Sequence, residues 1–128
     1  MIVADSDVLI DYLRRRQPGA AAVAEALRRG QLHTTILTCF ELLAGAQSSQ
    51  PEESVLALLE SLSILPLDFE AARKAAELSR ELDRLGVGIG MGDILIAGIV
   101  LAQGGTLLTR NRRHFERIPG FPLADLQP

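Results

Sequence analysis

Three acidic side chains and one amide occupy positions that a carboxylate-based active site requires. Each follows a predicted strand or lies near the start of a predicted helix, and the four are Asp5, Glu41, Asp93 and Asn111. Three carboxylates brought together repel one another and resist separate ionisation unless a cation shares them. Oxygen ligands suit Mg²⁺ or Mn²⁺, and such an ion can activate water and stabilise a phosphodiester transition state. The chemistry that these residues indicate is therefore metal-assisted phosphodiester hydrolysis.

Each of these side chains, taken alone, also has a purely structural interpretation. Asp5 closes the apolar run IVAD with no turn after it, which favours a function over a simple strand end. Glu41 follows Thr38 at capping-box spacing. Asp93 fits a first-turn acid that the helix dipole stabilises, and Asn111 fits a turn. No single position decides, and it is their joint placement that favours a site.

Other polar residues have simpler expected roles. Asp7 is expected to cap the first helix, and Asp11 is expected to be a solvated helix residue. His114 is expected to be structural rather than a catalytic base. Cys39 has no His and Asp framework around it, so we expect a small buried side chain.

Short apolar runs alternate with amphipathic segments along the chain. Strands are predicted at 2–5, 32–37, 63–67 and 106–109, with a possible edge strand at 121–125; helices are predicted at 6–16, 18–29, 38–46, 51–62, 69–85 and 93–103. This alternation predicts a single α/β domain over 1–128, with a mostly parallel sheet of four to five short strands flanked by helices. Ligands in such folds bind at the carboxyl ends of the strands, where the four polar side chains would meet.

Two predictions concern the later helices. In helix 69–85, which Asp68 caps and Gly86 ends, the inward side chains are expected to be Phe69, Ala72, Ala76, Leu82 and Leu85. The apolar segment 85–102 is long enough to cross a membrane, but Asp93 lies in its middle and five glycines interrupt it. It is therefore predicted to be a loop followed by a buried helix.

Composition limits the classes of partner. The 128 residues are 48% hydrophobic and carry a net charge of −3, so the chain is a globular domain and not a basic nucleic-acid coat. Nucleic acid would need a local basic patch. Two arginine clusters supply candidates, as solvated faces or as phosphate contacts, and their members are Arg14, Arg15 and Arg16, and Arg110, Arg112, Arg113 and Arg117. A single cysteine and no evident secretion signal fit a cytoplasmic protein.

Four blocks of the sequence resemble a known family. The segments IVADSDVLIDYLR, TTILTCFELLAGA, MGDILIAGIVLA and LLTRNRRHFERIPG are similar, in that order, to the signature blocks of PIN-domain ribonucleases, and most closely to the VapC toxins of prokaryotic toxin–antitoxin pairs. The resemblance spans residues 2 to about 123 and implies a Rossmann-like parallel sheet. Gly98 stands where many relatives carry Ala, which costs about 1 kcal/mol of helix propensity.

The resemblance also implies an activity and the residues that carry it. It implies a metal-dependent endoribonuclease in which Asp5, Glu41 and Asp93 hold Mg²⁺ or Mn²⁺. Asn111 stands at a position that is often Asp in PIN domains and frequently Asn in the VapC-type subgroup, and its implied role is to hold water or an outer-shell ligand. The hydroxyl expected near the metal is that of Ser6 or Thr109, and the implied phosphate contacts are Arg14, Arg110, Arg112 and Arg113.

The family further implies protein partners. Its members are commonly homodimers and are blocked by a VapB-type antitoxin. Helices 38–47 and 51–62, which are rich in Leu and Ala, are the surfaces expected for both contacts. Arginine in place of Ala44 or Ala46 is expected to weaken antitoxin binding.

Other classes fit the sequence less well. The stretch IVADSDVL also fits the opening of haloacid-dehalogenase-like phosphatases, but Asp93 opens a helix and no acid follows until Glu116. A receiver domain needs a lysine after a late strand, and the only lysine, Lys74, lies within a predicted helix. A PIN-like module that binds RNA or protein without cutting remains the alternative, and the presence of all three carboxylates disfavours it.

Overall fold

A four-stranded parallel sheet lies at the centre of the fold. The computed structural model describes residues 1–127, apart from the side chains of Ser49 and Gln50, so the last residue of the predicted domain, Pro128, lies outside the described residues. The strands are β1 (Ile2–Ala4), β2 (Leu32–Thr35), β3 (Ser63–Leu65) and β4 (Thr106–Leu108), in the order β3-β2-β1-β4. The helices are α1 (Ser6–Arg14), α2 (Gly19–Arg28), α3 (Ile36–Gly45), α4 (Ser49–Glu60), α5 (Phe69–Leu85), α6 (Met91–Gln103) and α7 (Arg112–Glu116). The predicted α/β class is confirmed.

The sheet separates two apolar cores. Alternate residues of a strand point to opposite faces, so Val3 and Leu107 lie in the core with α5 and α6, whereas Ala4 and Leu108 lie in the core with α1 to α4. The segment predicted as an edge strand makes one parallel bridge, between Leu123 and Leu107. Within the described residues, no helix is long and apolar enough to cross a membrane, and α6 is the buried helix that was expected.

The N-cap residues of two helices differ from the sequence prediction. Asp5, not Asp7, is the N-cap of α1, and its Oδ1 accepts a hydrogen bond from the Ser6 N–H at 2.8 Å. The N-cap of α3 is Thr35, whose hydroxyl accepts from the Thr38 N–H at 3.1 Å, so the predicted capping box of Thr38 and Glu41 is wrong. Helix α1 begins at residue 6 as predicted, so only its cap differs. Helix α3 begins earlier than predicted, because the Thr35 side chain at the strand end already satisfies a helical N–H group.

The inward face of α5 was predicted incorrectly. Asp68 caps the helix and Gly86 ends it as expected, but the buried side chains are Ala71, Ala75 and Leu82. Of the predicted set, only Leu82 is buried; Phe69 is 80% exposed, Leu85 is half exposed, and Ala72 and Ala76 are also exposed. The reason is close packing of α5 on α6.

Gly98 is the point of closest approach between α5 and α6. A Cβ added there would lie 2.6 Å from the Ala71 carbonyl oxygen and 2.8 Å from the Ala75 Cβ. Small side chains on both helices therefore face one another at this point, and Leu82 is buried further along α5.

Candidate active site

Asp5 lies at the junction of β1 and α1, at the carboxyl edge of the sheet. It is only 6% exposed. Its Oδ1 accepts from the Ser6 N–H, and its Oδ2 accepts from the Thr109 hydroxyl at 2.8 Å. Burial is the largest cause of a rise in the pKa of Asp5 from its ordinary 3.8 to about 6; the charge of Asp7 raises it further, the two hydrogen bonds lower it, and the charge of Glu41 adds a smaller rise. Asp5 is thus a buried carboxyl group in a negative field.

Asp7 attaches α1 to the end of β4. Its Oδ2 accepts from the Arg110 N–H at 3.0 Å and lies 3.3 Å from the Thr109 hydroxyl, whose single proton has the shorter contact, 2.8 Å, with Asp5. Its Oδ1 is buried and has no hydrogen-bond partner within the described residues. Burial raises the pKa of Asp7, and the Arg110 N–H and charge partly offset that rise. The role of Asp7 is to join two site segments, not to cap the helix.

Glu41 reaches the same edge from the second turn of α3. The residue as a whole is exposed, but partial desolvation of its carboxylate raises the pKa of Glu41, and the charges of Asp93 and Asp7 raise it further. Glu41 is therefore near enough to Asp93 on α6, and to Asp5 and Asp7 at the start of α1, for their charges to repel. Glu41 is thus the carboxylate that links Asp5 to Asp93.

Asp93 and Asn111 meet at His114. The Nδ1 of His114 lies 2.8 Å from Asp93 Oδ2 and 3.0 Å from Asn111 Nδ2. A carboxylate only accepts, so Nδ1–H donates to Asp93 when that contact forms. The same nitrogen cannot accept from the Asn111 amide while it donates, so the two contacts are alternatives. His114 thus connects two of the four predicted site residues.

Thr109 is the centre of the site's hydrogen bonds. Its hydroxyl donates to Asp5 and accepts from the Asn111 N–H at 3.0 Å. Thr109 is fully buried. Of the two expected hydroxyls, that of Thr109 therefore contacts the predicted ligands, whereas Ser6 contacts Asp5 through its backbone N–H.

The predicted site residues do not form a ready-made metal-binding cluster in the described part of the chain. Within residues 1–127, no three Asp, Glu, His or Cys side chains enclose a point at metal-binding distances. The donors are nevertheless all oxygen atoms, the set that Mg²⁺ and Mn²⁺ prefer.

The arginines predicted to contact phosphate differ in what they bind. Arg14 and Arg113 are exposed. Arg112 donates to the Ala124 carbonyl at 2.7 Å and lies 3.7 Å from Glu116, so it holds the C-terminal segment. Arg110 forms an ion pair with Asp11. Asp11 is buried, so the prediction that it is a solvated helix residue is wrong. Asp7 and Asp11 are one helical turn apart and share a face of α1, but nothing local to that helix indicates Arg110 as a partner.

A groove adjoins the site beside Glu41. It has a volume of about 290 Å³, and α1, α3 and α4 line it with mostly apolar side chains, among them Ile10, Leu42, Ala46 and Val55. A larger depression of about 890 Å³ lies around Lys74 and Arg84 on α5, and no site residue lines it. The first groove is therefore the one relevant to the acidic edge.

Comparison with known proteins agrees with this architecture. Residues 2–120 match the family model described as PIN domain. The chain belongs to the PIN domain family. The tRNA(fMet)-specific endonuclease VapC of Shigella flexneri is 30% identical over 125 residues, which are 94% of this chain and 94% of that protein. Ribonuclease VapC10 of Mycobacterium tuberculosis is 35% identical over 115 residues, covering 90% of this chain and 86% of the relative.

A solved VapBC complex contains a chain with the same fold. The DNA-bound VapBC of Salmonella typhimurium contains a chain with a TM-score of 0.82 and 28% identity, and the match covers 98% of this chain and 97% of that one. The resemblance of the four sequence blocks to VapC-type PIN domains is thereby confirmed.

Proposed function

We propose that this protein is a metal-dependent endoribonuclease, the toxin of a VapBC-type toxin–antitoxin pair, which hydrolyses phosphodiester bonds of tRNA or ribosomal RNA. The proposal rests on the electrostatic coupling of Glu41 to both Asp5 and Asp93 at the carboxyl edge of a PIN-domain sheet. The VapC relatives, named as ribonucleases, support the same activity.

The site residues fit a divalent cation by their chemistry. Burial and mutual repulsion raise the pKa values of Asp5 and Glu41, and the Oδ1 of Asp7 is buried without a partner in the described part of the chain. A cation shared by Asp5 and Glu41 would offset the burial and repulsion of these two carboxylates. We therefore assign Asp5, Glu41 and Asp93 as ligands of Mg²⁺ or Mn²⁺.

The protein's own groups would prepare the reaction. When bound, the ion supplies Lewis-acid activation of water and offsets charge on the scissile phosphate. Thr109 holds Asp5 in one orientation through its hydroxyl. His114 does the same for Asp93, and Asn111, at that histidine, would hold the attacking water or an outer-shell ligand. Exposed Arg14 and Arg113 would bind the RNA backbone.

The two faces of α3 suggest two protein partners. Ile36, Phe40 and Leu43 form an exposed stripe at helical spacing, and Phe40 is 68% exposed. We assign this stripe to a homodimer contact. The apolar groove on the opposite face, beside Glu41, is assigned to a VapB-type antitoxin, which would cover the site. The free, buried Cys39 fits a reducing cytoplasm, where we place the pair.

A cleavage assay tests the proposed activity. The protein is incubated with total tRNA and with ribosomal RNA, in Mg²⁺, in Mn²⁺ and in EDTA, and the products are separated on a gel. We expect discrete fragments with either metal and intact RNA in EDTA. Fragmentation that EDTA leaves unchanged would contradict metal-dependent hydrolysis.

Light scattering tests the proposed homodimer contact. Phe40→Glu should convert the protein to a monomer, whereas Leu56→Glu, a change at an exposed leucine of α4, should not.

A further inference from the structure

Asp11 is a buried carboxylate outside the predicted metal-binding set. It is 4% exposed and lies on α1, one turn after Asp7. Its Oδ2 accepts from the Gly19 N–H at 3.2 Å and forms an ion pair with Arg110, whose Nε lies 2.9 Å away. A buried carboxylate is costly unless it is paired and hydrogen-bonded, and here both conditions are met. The mechanism described above leaves this residue without a role.

The position of Asp11 is sterically fixed. A Cβ on Gly19 would lie 2.5 Å from Asp11 Oδ2 and 2.7 Å from its Cβ. The start of α2 therefore closes against the carboxylate on one side, while α1 holds it on the other. Asp11 is a rigid acceptor, so the group that it binds acquires a defined orientation.

Arg110 is attached to α1 at two points. Its backbone N–H donates to Asp7 Oδ2 at 3.0 Å, and its guanidinium forms an ion pair with Asp11 through Nε. The neighbouring residues in sequence, Thr109 and Asn111, both belong to the candidate site. The charge of Arg110 also lowers the pKa of Asp7, so the guanidinium lies close to the acidic edge.

Of the three guanidinium nitrogens of Arg110, Nε alone makes a polar contact with a described residue. No hydrogen bond or ion pair joins either Nη of Arg110 to a described residue, and the side chain is 45% exposed. Two Nη groups held in one plane match the oxygens of a phosphate, and prior fixing of the fork lowers the entropy lost on binding.

From this arrangement we infer that Asp11 is a positioning residue: it orients Arg110 so that the two Nη groups bind an RNA phosphate beside the acidic edge. The inference rests on the proposed function, because it needs RNA at this site. It differs from a general basic patch, since the paired charges of Asp11 and Arg110 cancel. What the pair contributes is geometry at one phosphate, not net attraction.

A double-mutant cycle tests the inference in protein that binds RNA without cutting it. Asp93→Asn is the background, and the additional changes are Asp11→Asn, Arg110→Ala and both together. A fluorescently labelled tRNA is the probe, and its anisotropy is followed over a series of salt concentrations. Asp11→Asn keeps the volume and an acceptor for the Gly19 N–H. Thermal melting of each variant shows that it is folded.

The expected result is coupling between the two positions. Arg110→Ala should weaken binding by roughly tenfold and lower the slope of log affinity against log salt by about one, as for loss of one phosphate contact. Asp11→Asn should weaken binding in the same direction, and the double variant should bind no more weakly than Arg110→Ala alone. Arg110→Lys keeps the charge but not the fork, so it should not restore affinity.

Three results would overturn the inference. Unchanged RNA affinity and salt slope in Arg110→Ala would show that no phosphate binds there, with the proposed function intact. An equal loss on Asp11→Asn with and without Arg110 would show a merely structural role. Absence of tRNA and ribosomal RNA binding by the Asp93→Asn background itself would contradict the proposed function and this inference with it. If Arg110→Ala does not fold, because Asp11 is left buried and unpaired, the RNA affinities of Arg110→Lys and Asp11→Asn are each compared with that of the Asp93→Asn background. Both should be lower, and affinities equal to the background would overturn the inference.

Discussion

The hydroxyl of Thr109 donates a hydrogen bond of 2.8 Å to Asp5 across a separation of 104 residues. The bond joins the ends of β1 and β4, which are neighbours in the sheet. The same hydroxyl accepts from the Asn111 N–H. One buried threonine thus connects the first and the last predicted site positions.

Removal of that hydroxyl should alter both stability and the pH dependence of cleavage. Thr109→Val keeps the volume but leaves the Asn111 N–H without its acceptor, which should lower the free energy of unfolding by about 1–3 kcal/mol. The hydrogen bond from Thr109 lowers the pKa of Asp5, so its loss should move the acid limb of the pH–rate profile to higher pH. Thr106→Val is the control, because Thr106 is on the same strand and makes no side-chain hydrogen bond with a described residue. An unshifted acid limb in folded Thr109→Val would contradict this role.

The raised pKa of Asp5 predicts that the metal-free protein loses stability as the pH rises. The folded state binds the Asp5 proton more tightly than the unfolded state does, so this contribution is fully present below the ordinary pKa of 3.8 and is lost as the pH rises through about 6. Each pKa unit is worth about 1.4 kcal/mol, which makes the loss about 3 kcal/mol. Asp5→Asn does not titrate, so in EDTA it should be the more stable protein at pH 7 and similar to wild type at pH 4.

Denaturant unfolding in EDTA between pH 4 and pH 8 measures this difference. Asp125→Asn, the same chemical change on an exposed side chain, should follow the wild-type curve. Parallel curves for wild type and Asp5→Asn over the whole range would contradict the raised pKa.

Gly98 should tolerate no larger residue, although it lies inside a helix. Alanine would gain up to about 1 kcal/mol of helix propensity, but its Cβ would clash with the Ala71 carbonyl oxygen and the Ala75 Cβ. Overpacking of this kind costs about 1–3 kcal/mol, so Gly98→Ala should destabilise the protein. Gly92→Ala is the matched control, because it lies in the same helix with no atom within 4 Å of the added Cβ, and it should be neutral or stabilising. Urea midpoints compare the two, and equal stabilisation would show that α5 can move away from α6.

The groove predicts that Ala46 and Ala44 differ in antitoxin binding. Ala46 lines the apolar groove beside Glu41, whereas Ala44 is exposed on α3 outside its lining. Ala46→Arg should fill the groove and weaken binding of the cognate antitoxin by about tenfold or more, and Ala44→Arg should bind as wild type does. This is narrower than the sequence expectation, which treats both positions alike. Isothermal titration measures it, and equal affinities for both variants would place the antitoxin elsewhere.

The sequence predicts the fold well because apolar runs and helical spacing are local signals. The order of strands and helices, the Asp68 cap and the Gly86 end all depend on neighbouring residues. The buried face of α5 does not follow from local signals, because Ala71 and Ala75 are buried by close contact with Gly98 on another helix. No periodicity within α5 contains that information.

The site was predictable in part for the same reason. Asp5, Glu41 and Asp93 are expected at one sheet edge from strand ends and helix starts alone, and the rise that Asp93 causes in the pKa of Glu41, and Glu41 in that of Asp5, agrees with that placement. Asp7 and Asp11 both bind Arg110, which follows β4 and is far away in sequence. The predictions of a helix cap at Asp7 and of a solvated Asp11 use only neighbouring residues, and both were wrong. The contact of His114 with Asp93 is likewise a product of the tertiary fold.

Cleavage of RNA by wild type and Asp93→Asn tests the central claim most directly. Both proteins, with Asp125→Asn as the exposed control, are incubated with total tRNA and ribosomal RNA in Mg²⁺ or Mn²⁺ and in EDTA. The account predicts metal-dependent fragments from wild type and from the control, and a loss of at least about a hundredfold in Asp93→Asn at an unchanged melting temperature. Equal cleavage by wild type and Asp93→Asn would make Asp93 only a helix-start acid, and no cleavage by any of the three would favour a PIN-domain module that binds RNA or protein without cutting.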